Sequence, residues 1–592
     1  MSDTNRFRYR SEIWFNDLTE PGETAVYLER FGNYGITRKE LQSGKPIIGI
    51  AQTGNDLVPC NRHHIQLAAR VKDGIRDAGG IPFEFPVHPL QESCRRPTAA
   101  LDRNLAYLGL VEVMCGYPLD GVVLTTGCDK TTPASLMAAA TVNIPAIVFS
   151  GGPMIDGYYN GKLAGSGMAL WEARRMLAAG EINEETLLDM VCASAPSVGH
   201  CSTMGTALSM NSLAEALGMS LPGCASIPGP YAERASMAYE TGKRIVTMVK
   251  ADLTPARILT RDAFDNAIVV TAAIGGSTNC VPHLIAIARH MGVPLDIRDW
   301  ETVGHHVPLL ANIQPAGKYL GEAYHRAGGV PAIIGELMQG GLIRGQAMTV
   351  NGKTIAENHS KSRSLDQDVI RPVTNPLMRD AGFVIVSGNL FDSAVVKTSV
   401  ISDDFRRKYL STPGHEDCFT SRVVVFDGPE DYRKRINDPA LNVDDSCMLV
   451  IRGAGPVAYP GSAEVVNMTP PDYVVKSGTR MLPCMGDGRQ SGTSDTPSIL
   501  NASPESAVGG GLALLRDGDL VRVDLKNRRV DLMASEDEIA GRRAELKLPD
   551  LVNESPWQEF YRQHVGQLET GACFDFAVKY RNLRTVVPRH SH

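Results

Sequence analysis

Apolar runs that resemble short strands alternate with helical stretches through the first half of the chain. The runs lie at residues 46–54, 81–87, 120–127 and 144–153. The intervening stretches predict helices at about 61–78, 98–114 and 137–142. Strands that alternate with helices pair in parallel, and the helices cover the sheet. The sequence therefore predicts an α/β N-terminal domain built on a parallel sheet.

The pattern of apolar runs and turns changes near residues 371–376, where prolines interrupt the chain. Beyond them, short strand-like pieces are separated by Gly and Asp turns, at 383–388, 421–428, 447–453, 519–525 and 528–533. This spacing is typical of a small β-rich barrel or sandwich. Since 592 residues are too many for one simple core, we predict two domains, 1–375 and 376–592.

The bulk composition excludes several classes of protein. Hydrophobic residues make up 43% and charged residues 21%, as in ordinary globular proteins. A formal net charge of −7 gives no electrostatic reason to expect nucleic acid or an anionic membrane as partner. The N-terminus lacks the apolar core of a signal peptide, and no window approaches eighteen uninterrupted apolar residues. We therefore expect a cytoplasmic protein.

The tripeptide Cys128-Asp129-Lys130 follows one of the predicted strands, in DGVVLTTGCDKTTPA. Loops at the carboxyl ends of strands in α/β sheets are where ligands usually bind. A thiolate suits an iron–sulfur cluster, whereas a carboxylate suits Mg²⁺. One tripeptide could thus serve two different metal centres.

Three of the twelve cysteines lie in glycine-rich or polar loops, namely Cys60, Cys128 and Cys201. No CxxC pair exists, which argues against zinc ribbons and thioredoxin-like sites. From the residues alone, two interpretations stay open. The three thiols are unrelated buried side chains, or they hold an iron–sulfur cluster with one iron left free of protein ligands. An open iron would favour Lewis-acid catalysis over electron transfer.

Carboxylates near these loops form a second group of candidates. Glu92 follows a predicted strand, and Glu464 lies in a Gly/Pro-rich turn that is predicted to open a helix. Taken singly, each glutamate fits a solvated position. Together with Asp129 they would supply the oxygen-rich shell that Mg²⁺ prefers. Lys130 is either a counter-ion or, without its proton, an amine able to form a carbamate with CO₂.

A glycine-rich segment at 485–511 contains two candidate hydroxyls, Ser491 and Thr493. Its glycines allow the backbone to approach a ligand, although a structural turn would use them equally well. A serine is a poor base unless its proton is removed, and a nearby cation favours that removal.

With these motifs assembled, the chain resembles the family of dihydroxy-acid dehydratases, 6-phosphogluconate dehydratases and sugar-acid (aldonate) dehydratases. The segment CDKTTPASLMAA (128–139) is similar to the first signature of that family. The segment GDGRQSGTS (486–494) is similar to the core of its second signature. The likeness runs from PIIGIAQTGND across nearly the whole chain.

The resemblance implies a [2Fe-2S] cluster, or in some members a [4Fe-4S] cluster, held by three cysteines. The [2Fe-2S] type is expected here, with ligands at Cys60, Cys128 and Cys201. The same match implies that Mg²⁺ is held by Glu92, Asp129, Glu464 and a carbamylated Lys130, and that Ser491 is the base. It further implies a swivelling, barrel-like C-terminal domain and a homodimer or homotetramer. The terminal His590 and His592 either reach a neighbouring subunit or belong to a frayed end.

The substrate implied is a small polyhydroxy or dihydroxy carboxylate. Gln490 and Gly486 depart from the amino-acid-biosynthetic branch of the family, and the ESCRRPTAALDRN segment looks like the pentonate and hexonate dehydratases. We therefore expect dehydration of a sugar acid to a 2-keto-3-deoxy acid, with Thr493, Arg95 and Gln490 as candidate substrate contacts. The alternatives are 2,3-dihydroxyisovalerate dehydration in branched-chain amino-acid biosynthesis and, more remotely, an iron–sulfur electron-transfer protein.

Overall fold

A four-stranded sheet organises the first part of the chain in the computed structural model, which describes residues 8–33, 35–587 and 589. His590 and His592 lie outside the described residues. The strands are β1 Ile47–Gln52, β2 Ile81–Pro86, β3 Gly121–Thr126 and β4 Ala146–Ser150. They lie in the order β2-β1-β3-β4, and every pairing is parallel. The predicted α/β architecture is thus confirmed.

Helices connect the strands and cover both faces of the sheet. The connecting helices are His64–Asp77, Ala99–Gly116 and Thr131–Val142. All twelve residues of Thr131–Val142 are buried, as expected for a helix that is apolar all round. The other helices of this part are Glu12–Phe15, Pro21–Gly32, Arg38–Leu41, Met168–Ala179, Glu184–Cys192, Thr206–Ala216, Ala232–Lys250, Pro255–Ile258, Arg261–Ala273, Cys280–Met291, Gly321–Arg326, Gly329–Gln339 and Ile355–His359.

An eight-stranded sheet forms most of the second part and closes into a barrel. After a short hairpin (β5 Tyr158–Tyr159, β6 Lys162–Leu163), its strands are β7 Val384–Val386, β8 Ser393–Val396, β9 Cys418–Asp427, β10 Cys447–Arg452, β11 Cys484–Gly486, β12 Ser498–Ser503, β13 Leu520–Asp524 and β14 Arg529–Leu532. Their order is β14-β13-β9-β10-β11-β12-β8-β7. A bridge between Ser387 and Arg529 joins the two edges. Between the two predicted possibilities, the barrel is the one observed.

Side chains alternate between two cores along the central strands of the barrel. Val423 and Val425 of β9 belong to the inner cluster, whereas Val424 and Phe426 belong to the cluster on the outer face. This period of two is the ordinary consequence of strand geometry. The short helices around the barrel are Asp403–Phe405, Gly428–Arg435, Asp472–Lys476 and Glu536–Glu545.

The last segment of the chain returns from the barrel to the N-terminal core. It contains the helix Pro556–His564, and Tyr561 and Phe574 are members of the large N-terminal hydrophobic cluster. Arg103 donates hydrogen bonds to the carbonyls of Gly571 and Ala572, at 2.8 and 2.6 Å. The proposed boundary at 375/376 stays a prediction. Within the described residues, no helix combines the length and apolar character needed to cross a bilayer.

Candidate active site

The three candidate cluster cysteines lie at the carboxyl edge of the parallel sheet. Cys60 lies in the turn Pro59–Asn61 after β1, and Cys128 follows β3 directly. Cys201 reaches the same edge because the backbone of His200 pairs with the glycine turn after β4: its N–H donates to Gly152 O at 3.0 Å. Since β1, β3 and β4 are neighbours, the sheet order itself brings the three loops together.

Two of these thiols are in direct contact, and N–H donors surround them. The side chains of Cys60 and Cys128 share a hydrogen bond, which lowers the pKa of Cys60 and raises that of Cys128 well above its ordinary value. Gln91 Nε2 donates to Cys60 Sγ at 3.3 Å, and Glu92 N donates to Cys128 Sγ at 3.4 Å. Burial raises the pKa of Cys201. Donors of this kind stabilise thiolates and tune cluster potentials.

Three carboxylates meet beside the thiols. Oxygen atoms of Glu92, Asp129 and Glu464 lie within 4.8 Å of one another. Their side chains keep 18%, 14% and 14% of their surface exposed, so a small ligand can reach them. The first two come from loops after β2 and β3, whereas Glu464 comes from the barrel, after β10. Both sheets therefore contribute their carboxyl edges to one site.

The local structure around Glu464 differs from the prediction. It does not open a helix; instead it forms a bridge with Arg489, and the next helix begins only at Asp472. Backbone bonds hold the bridge, with Arg489 N donating to Ala463 O at 2.8 Å and Val465 N to Arg489 O at 2.9 Å. Because this segment is paired with the 486–494 loop, the two barrel loops are fixed relative to each other.

Two buried cations face the carboxylates. Lys130 Nζ, which is fully buried, lies 2.7 Å from Glu92 Oε2, 3.5 Å from Asp129 Oδ2 and 3.8 Å from Glu464 Oε1. The 2.7 Å contact lacks hydrogen-bond geometry, so both of its atoms are left without a hydrogen bond. Arg489 Nη1 donates to Glu464 Oε1 at 2.8 Å, and Nη2 lies 3.5 Å from Glu92 Oε1.

These charges shift the protonation equilibria in opposite directions. Burial alone would lower the pKa of Lys130, but the carboxylates, Glu92 above all, hold it above its ordinary value. Burial and the charge of Glu92 raise the pKa of Glu464 to about 7. Burial likewise raises the pKa of Asp129. For Glu92, burial acts in the same sense but Lys130 and Arg489 outweigh it, so its pKa is lowered. Strong perturbation of this kind marks candidate functional sites.

The Ser491 loop continues from Arg489. Ser491 Oγ lies 3.0 Å from Thr493 Oγ1, and its side chain is half-buried. Ser491 N donates to Asn467 Oδ1 at 3.3 Å. A Cβ on Gly492 would lie 2.6 Å from the backbone nitrogen of Thr206. Glycine at this position therefore lets the loop approach the N-terminal half closely.

The other two candidate substrate contacts have partners of their own. Arg95 Nε donates to Asp102 Oδ2 at 2.6 Å, and Gln490 Nε2 donates to Thr496 O at 3.0 Å. The structure therefore gives both side chains a role in local packing, and their contact with substrate stays a prediction.

Sequence reasoning missed three polar residues that position the site. Arg489 lies in the DGRQSGTS segment, two residues before Ser491. Asn61 Oδ1 accepts the N–H of Cys128 at 2.9 Å. Asn279 Nδ2 donates to Glu464 Oε1 at 2.6 Å and to Gln490 O at 3.2 Å. The only sequence signal for these was their place beside a candidate ligand or in a Gly/Ser loop.

The chemistry of the donors fits both implied metal centres. The carboxylate trio, with an unbonded Glu92 oxygen, offers the hard ligands of Mg²⁺. It is the one group of three His, Cys, Asp or Glu side chains in the described ranges whose ligand atoms lie within 4.8 Å of one another. The three sulfurs consequently do not close around a single ion, and suit a wider cluster better than a mononuclear site.

Comparison with known proteins assigns the chain to a family. Residues 45–358 match the family model "Dihydroxy-acid/6-phosphogluconate dehydratase N-terminal", and residues 368–572 match the corresponding C-terminal model. The chain is 59% identical to D-xylonate dehydratase of Caulobacter vibrioides, over all of this chain and 99% of that protein. It is 44% identical to L-arabinonate dehydratase of Rhizobium leguminosarum bv. trifolii, over 96% of each chain.

A dihydroxy-acid dehydratase is a more distant relative. The protein of that name from Caldanaerobacter subterraneus is 37% identical, over 91% of this chain and 95% of its own. The same family is indicated by both family models, by the identity to named dehydratases over the full length of the chain, and by the site residues that the fold brings together. The chain belongs to the dihydroxy-acid/6-phosphogluconate dehydratase family of hydro-lyases.

Proposed function

We propose that this protein dehydrates a sugar acid, a pentonate or hexonate, to the 2-keto-3-deoxy acid and water. The observation that carries the proposal is the meeting of thiols, carboxylates and the Ser491 loop at one place, in a chain 59% identical to a D-xylonate dehydratase. The relatives named for pentonates share more identity with this chain than the dihydroxy-acid dehydratases do.

In this proposal Cys60, Cys128 and Cys201 hold a [2Fe-2S] cluster, whereas Mg²⁺ is held by Glu92, Asp129, Glu464 and a carbamylated Lys130. When bound, the two centres would supply Lewis-acid polarisation of the substrate carboxylate and of its hydroxyls. Arg489 and Asn279 hold Glu464 in place through hydrogen bonds of 2.8 and 2.6 Å. Because the three carboxylates keep only 14–18% of their side-chain surface exposed, little water would compete with the substrate oxygens there.

Ser491 is the proposed general base. Its ionised Oγ takes the C2 proton, which is only weakly acidic beside a carboxylate, and a proton returned from Ser491 to the C3 hydroxyl lets that group depart as water and restores the base. The enol that results tautomerises, with C3 gaining a proton, to the 2-keto-3-deoxy acid. A cation held by the three carboxylates would favour the ionised serine. Lys130 acts in this scheme through the charge that it carries or, as a carbamate, the oxygen that it donates.

Three further assignments stay proposals. The chain would consist of an N-terminal domain to residue 375 and a swivelling C-terminal domain from 376. It would assemble as a homodimer or homotetramer, as the family resemblance implies, which light scattering on the purified protein can decide. Its location would be the cytoplasm, where a fusion with a fluorescent protein can be observed.

A substrate panel tests the activity directly. The reconstituted protein, with Mg²⁺, is incubated with pentonates, hexonates and 2,3-dihydroxyisovalerate, and 2-keto acids are detected as semicarbazones. We expect the largest kcat/KM on a pentonate or hexonate, and none with Ser491→Ala. A preference for dihydroxyisovalerate would favour the amino-acid-biosynthetic alternative. Absence of product throughout, from protein with a full iron and sulfide content, would overturn the proposal.

A further inference from the structure

A chain of hydrogen bonds leads from the helix Met168–Ala179 to Ser491. Trp171 Nε1 donates to Thr493 Oγ1 at 3.0 Å, and Thr493 Oγ1 lies 3.0 Å from Ser491 Oγ. The backbone N–H of Thr493 also donates to Ser491 Oγ, at 3.4 Å. Trp171 belongs to the N-terminal half, whereas the two hydroxyls belong to the barrel half, so the chain of bonds joins the two.

The donor and acceptor roles in this chain follow from the chemistry of its first member. An indole N–H only donates, whereas a hydroxyl both donates and accepts. Thr493 Oγ1 must therefore accept from Trp171. Among the described residues, the other hydrogen-bond partner of that oxygen is Ser491 Oγ. An ionised Ser491 can only accept, so in that state the Thr493 hydroxyl donates its proton to Ser491 Oγ.

We propose that Trp171 is a positioning residue for the base: by occupying one lone pair of Thr493, it turns the Thr493 hydroxyl proton toward Ser491 Oγ. The inference rests on the proposed function of Ser491. With Thr493 donating from both its hydroxyl and its backbone, Ser491 Oγ accepts two hydrogen bonds. Hydrogen bonds to the charged form favour that form, so the arrangement stabilises the ionised serine.

Close packing keeps Thr493 in the conformation that the bonds require. A Cβ on Gly205 would lie 2.8 Å from Thr493 Cγ2, and a Cβ on Gly167 would collide with the Thr493 side chain. Gly167 also has φ +85°, which other residues rarely adopt. The same helix holds the loop a second time, since Arg175 Nη1 donates to Asp495 Oδ1 at 2.9 Å and Nη2 to Oδ2 at 3.3 Å.

The arrangement around the loop supplies a matched control. Trp171→Phe keeps a ring and removes the N–H donor, whereas Arg175→Met breaks the ion pair of the same helix with the same loop and leaves the donor. If Trp171 acts only by holding the loop, both variants should have similar effects. If it acts by orienting the Thr493 hydroxyl, only the first should impair the base.

Kinetics on the holoenzyme separate these outcomes. For Trp171→Phe we expect kcat to fall roughly tenfold to a hundredfold with KM within about twofold. The acid-side inflection of the pH profile should move up by about one pH unit, because the serine loses a stabilising donor. Arg175→Met should stay within about twofold of the wild type. Equal losses in both variants, or an unshifted profile in Trp171→Phe, would overturn the inference.

A spectroscopic measurement tests the bond itself, independently of turnover. The chain has four tryptophans, so indole ¹⁵N labelling of the full-length protein gives four resolvable signals, and that of Trp171 is the one absent from Trp171→Phe. Should that variant not fold, variants of Trp14, Trp300 and Trp557 assign it by elimination. Thr493→Val should move the Trp171 N–H proton upfield and speed its exchange with solvent, whereas Thr493→Ser should preserve it.

The two experiments also distinguish failure of this inference from failure of the proposed function. If the protein is inactive on every sugar acid but the Trp171 signal responds to Thr493→Val, the proposed function is refuted, whereas the hydrogen bond between Trp171 and Thr493 remains supported. If the protein is active on sugar acids and Ser491→Ala is inactive, but the Trp171 signal does not respond to Thr493→Val, only the inference about Trp171 is refuted.

Discussion

Cys128 and Asp129 are adjacent in the chain but belong to two different groups of candidate ligand atoms. The thiol of Cys128 contacts Cys60, whereas the carboxylate of Asp129 meets Glu92 and Glu464. The turn that follows β3 makes this possible, because Asn61 fixes the backbone N–H of Cys128 at 2.9 Å. The separation of sulfur from oxygen donors matches the different preferences of iron–sulfur clusters and Mg²⁺.

Cys128→Ser tests the sulfur group. A serine hydroxyl is a poor cluster ligand, so we expect loss of iron, of visible absorbance and of turnover, by roughly a hundredfold or more. Iron and sulfide analysis, together with absorbance spectra, measures the result. Cys115→Ser is the matched control, since Cys115 is half-buried and lies outside the site. A Cys128→Ser protein that kept its iron would contradict the assignment.

The charges around Lys130 lead to a prediction about the reaction of its amine with CO₂. Its ammonium is favoured while three carboxylates face it, but only the neutral amine reacts with CO₂. Carbamylation should therefore require an added cation that offsets the carboxylates. With ¹³CO₂, we expect a carbamate ¹³C resonance that appears on addition of Mg²⁺, disappears with EDTA and is missing from Lys130→Met. A signal that is equally strong without Mg²⁺ would argue against this coupling.

At the residue scale, the sequence singled out the candidate thiols and carboxylates because each lies in a polar or glycine-rich loop, and the family resemblance supplied their expected roles, which stay predictions. The sequence was not enough for Arg489 or Asn279, because their importance comes from partners that are distant in sequence, Glu92 and Glu464. It could not show that Arg95 pairs with Asp102, since an arginine in a polar loop has many possible partners.

At the scale of elements, buried polar groups are held between the helices of the N-terminal half. His290, in the helix Cys280–Met291, packs on Tyr107 with ring centroids 4.4 Å apart and lies 3.2 Å from Thr141 Oγ1. Burial, helped by Arg103, lowers the pKa of His290 to about 3. Three helices thus meet around a neutral imidazole, which remains compatible with an apolar interface only while it carries no charge.

This packing predicts a loss of stability in acid. The folded protein keeps His290 neutral down to about pH 3, whereas the unfolded chain binds a proton below its ordinary value of 6.5. The unfolded state therefore gains protons first as pH falls, and stability drops. Between pH 7.5 and 5 the contribution of His290 should decrease by about 2 kcal/mol. His290→Leu and His290→Gln should both flatten the pH dependence of Tm; unchanged slopes in both would contradict the prediction.

The four strands of the parallel sheet and the helices between them could be predicted from the sequence, because apolar runs alternate with helical stretches there. Other long helices, such as Ala232–Lys250, are not among the predicted elements. The missed strands β8, β11 and β12 are short or rich in serine, and their polar residues are satisfied by barrel neighbours that no local pattern reveals. The prediction of a helix at Glu464 was wrong for a related reason. The backbone of Glu464 pairs with that of Arg489, so the chain forms a β-bridge instead of a helix.

For the whole molecule, the sequence indicated two parts but not how the chain ends would be arranged. The segment after the barrel packs against the N-terminal core, where Phe574 is 1% exposed. This contact between the last residues and the helices near residue 103 depends on tertiary packing alone, because neither segment contains a motif that predicts it.

Phe574→Ala should consequently destabilise the N-terminal half although it lies near the C-terminus. Truncating a buried phenylalanine costs about 3–5 kcal/mol, so we expect a clear drop in Tm by calorimetry and faster hydrogen exchange in the helix Ala99–Gly116. Tyr580→Ala, at a position 50% exposed, should change little. Equal Tm values for the two variants would contradict this account of the packing.

The division of ligands between the two sheets has a consequence for biosynthesis. All three cysteines are translated well before Glu464 and Ser491 exist. A nascent chain would thus offer all three proposed sulfur ligands, together with Glu92 and Asp129, while Glu464 and the proposed base Ser491 are still unmade. Maturation would then follow the direction of the ribosome, with iron first and magnesium last, and a prematurely terminated product would carry metal without being able to turn over substrate.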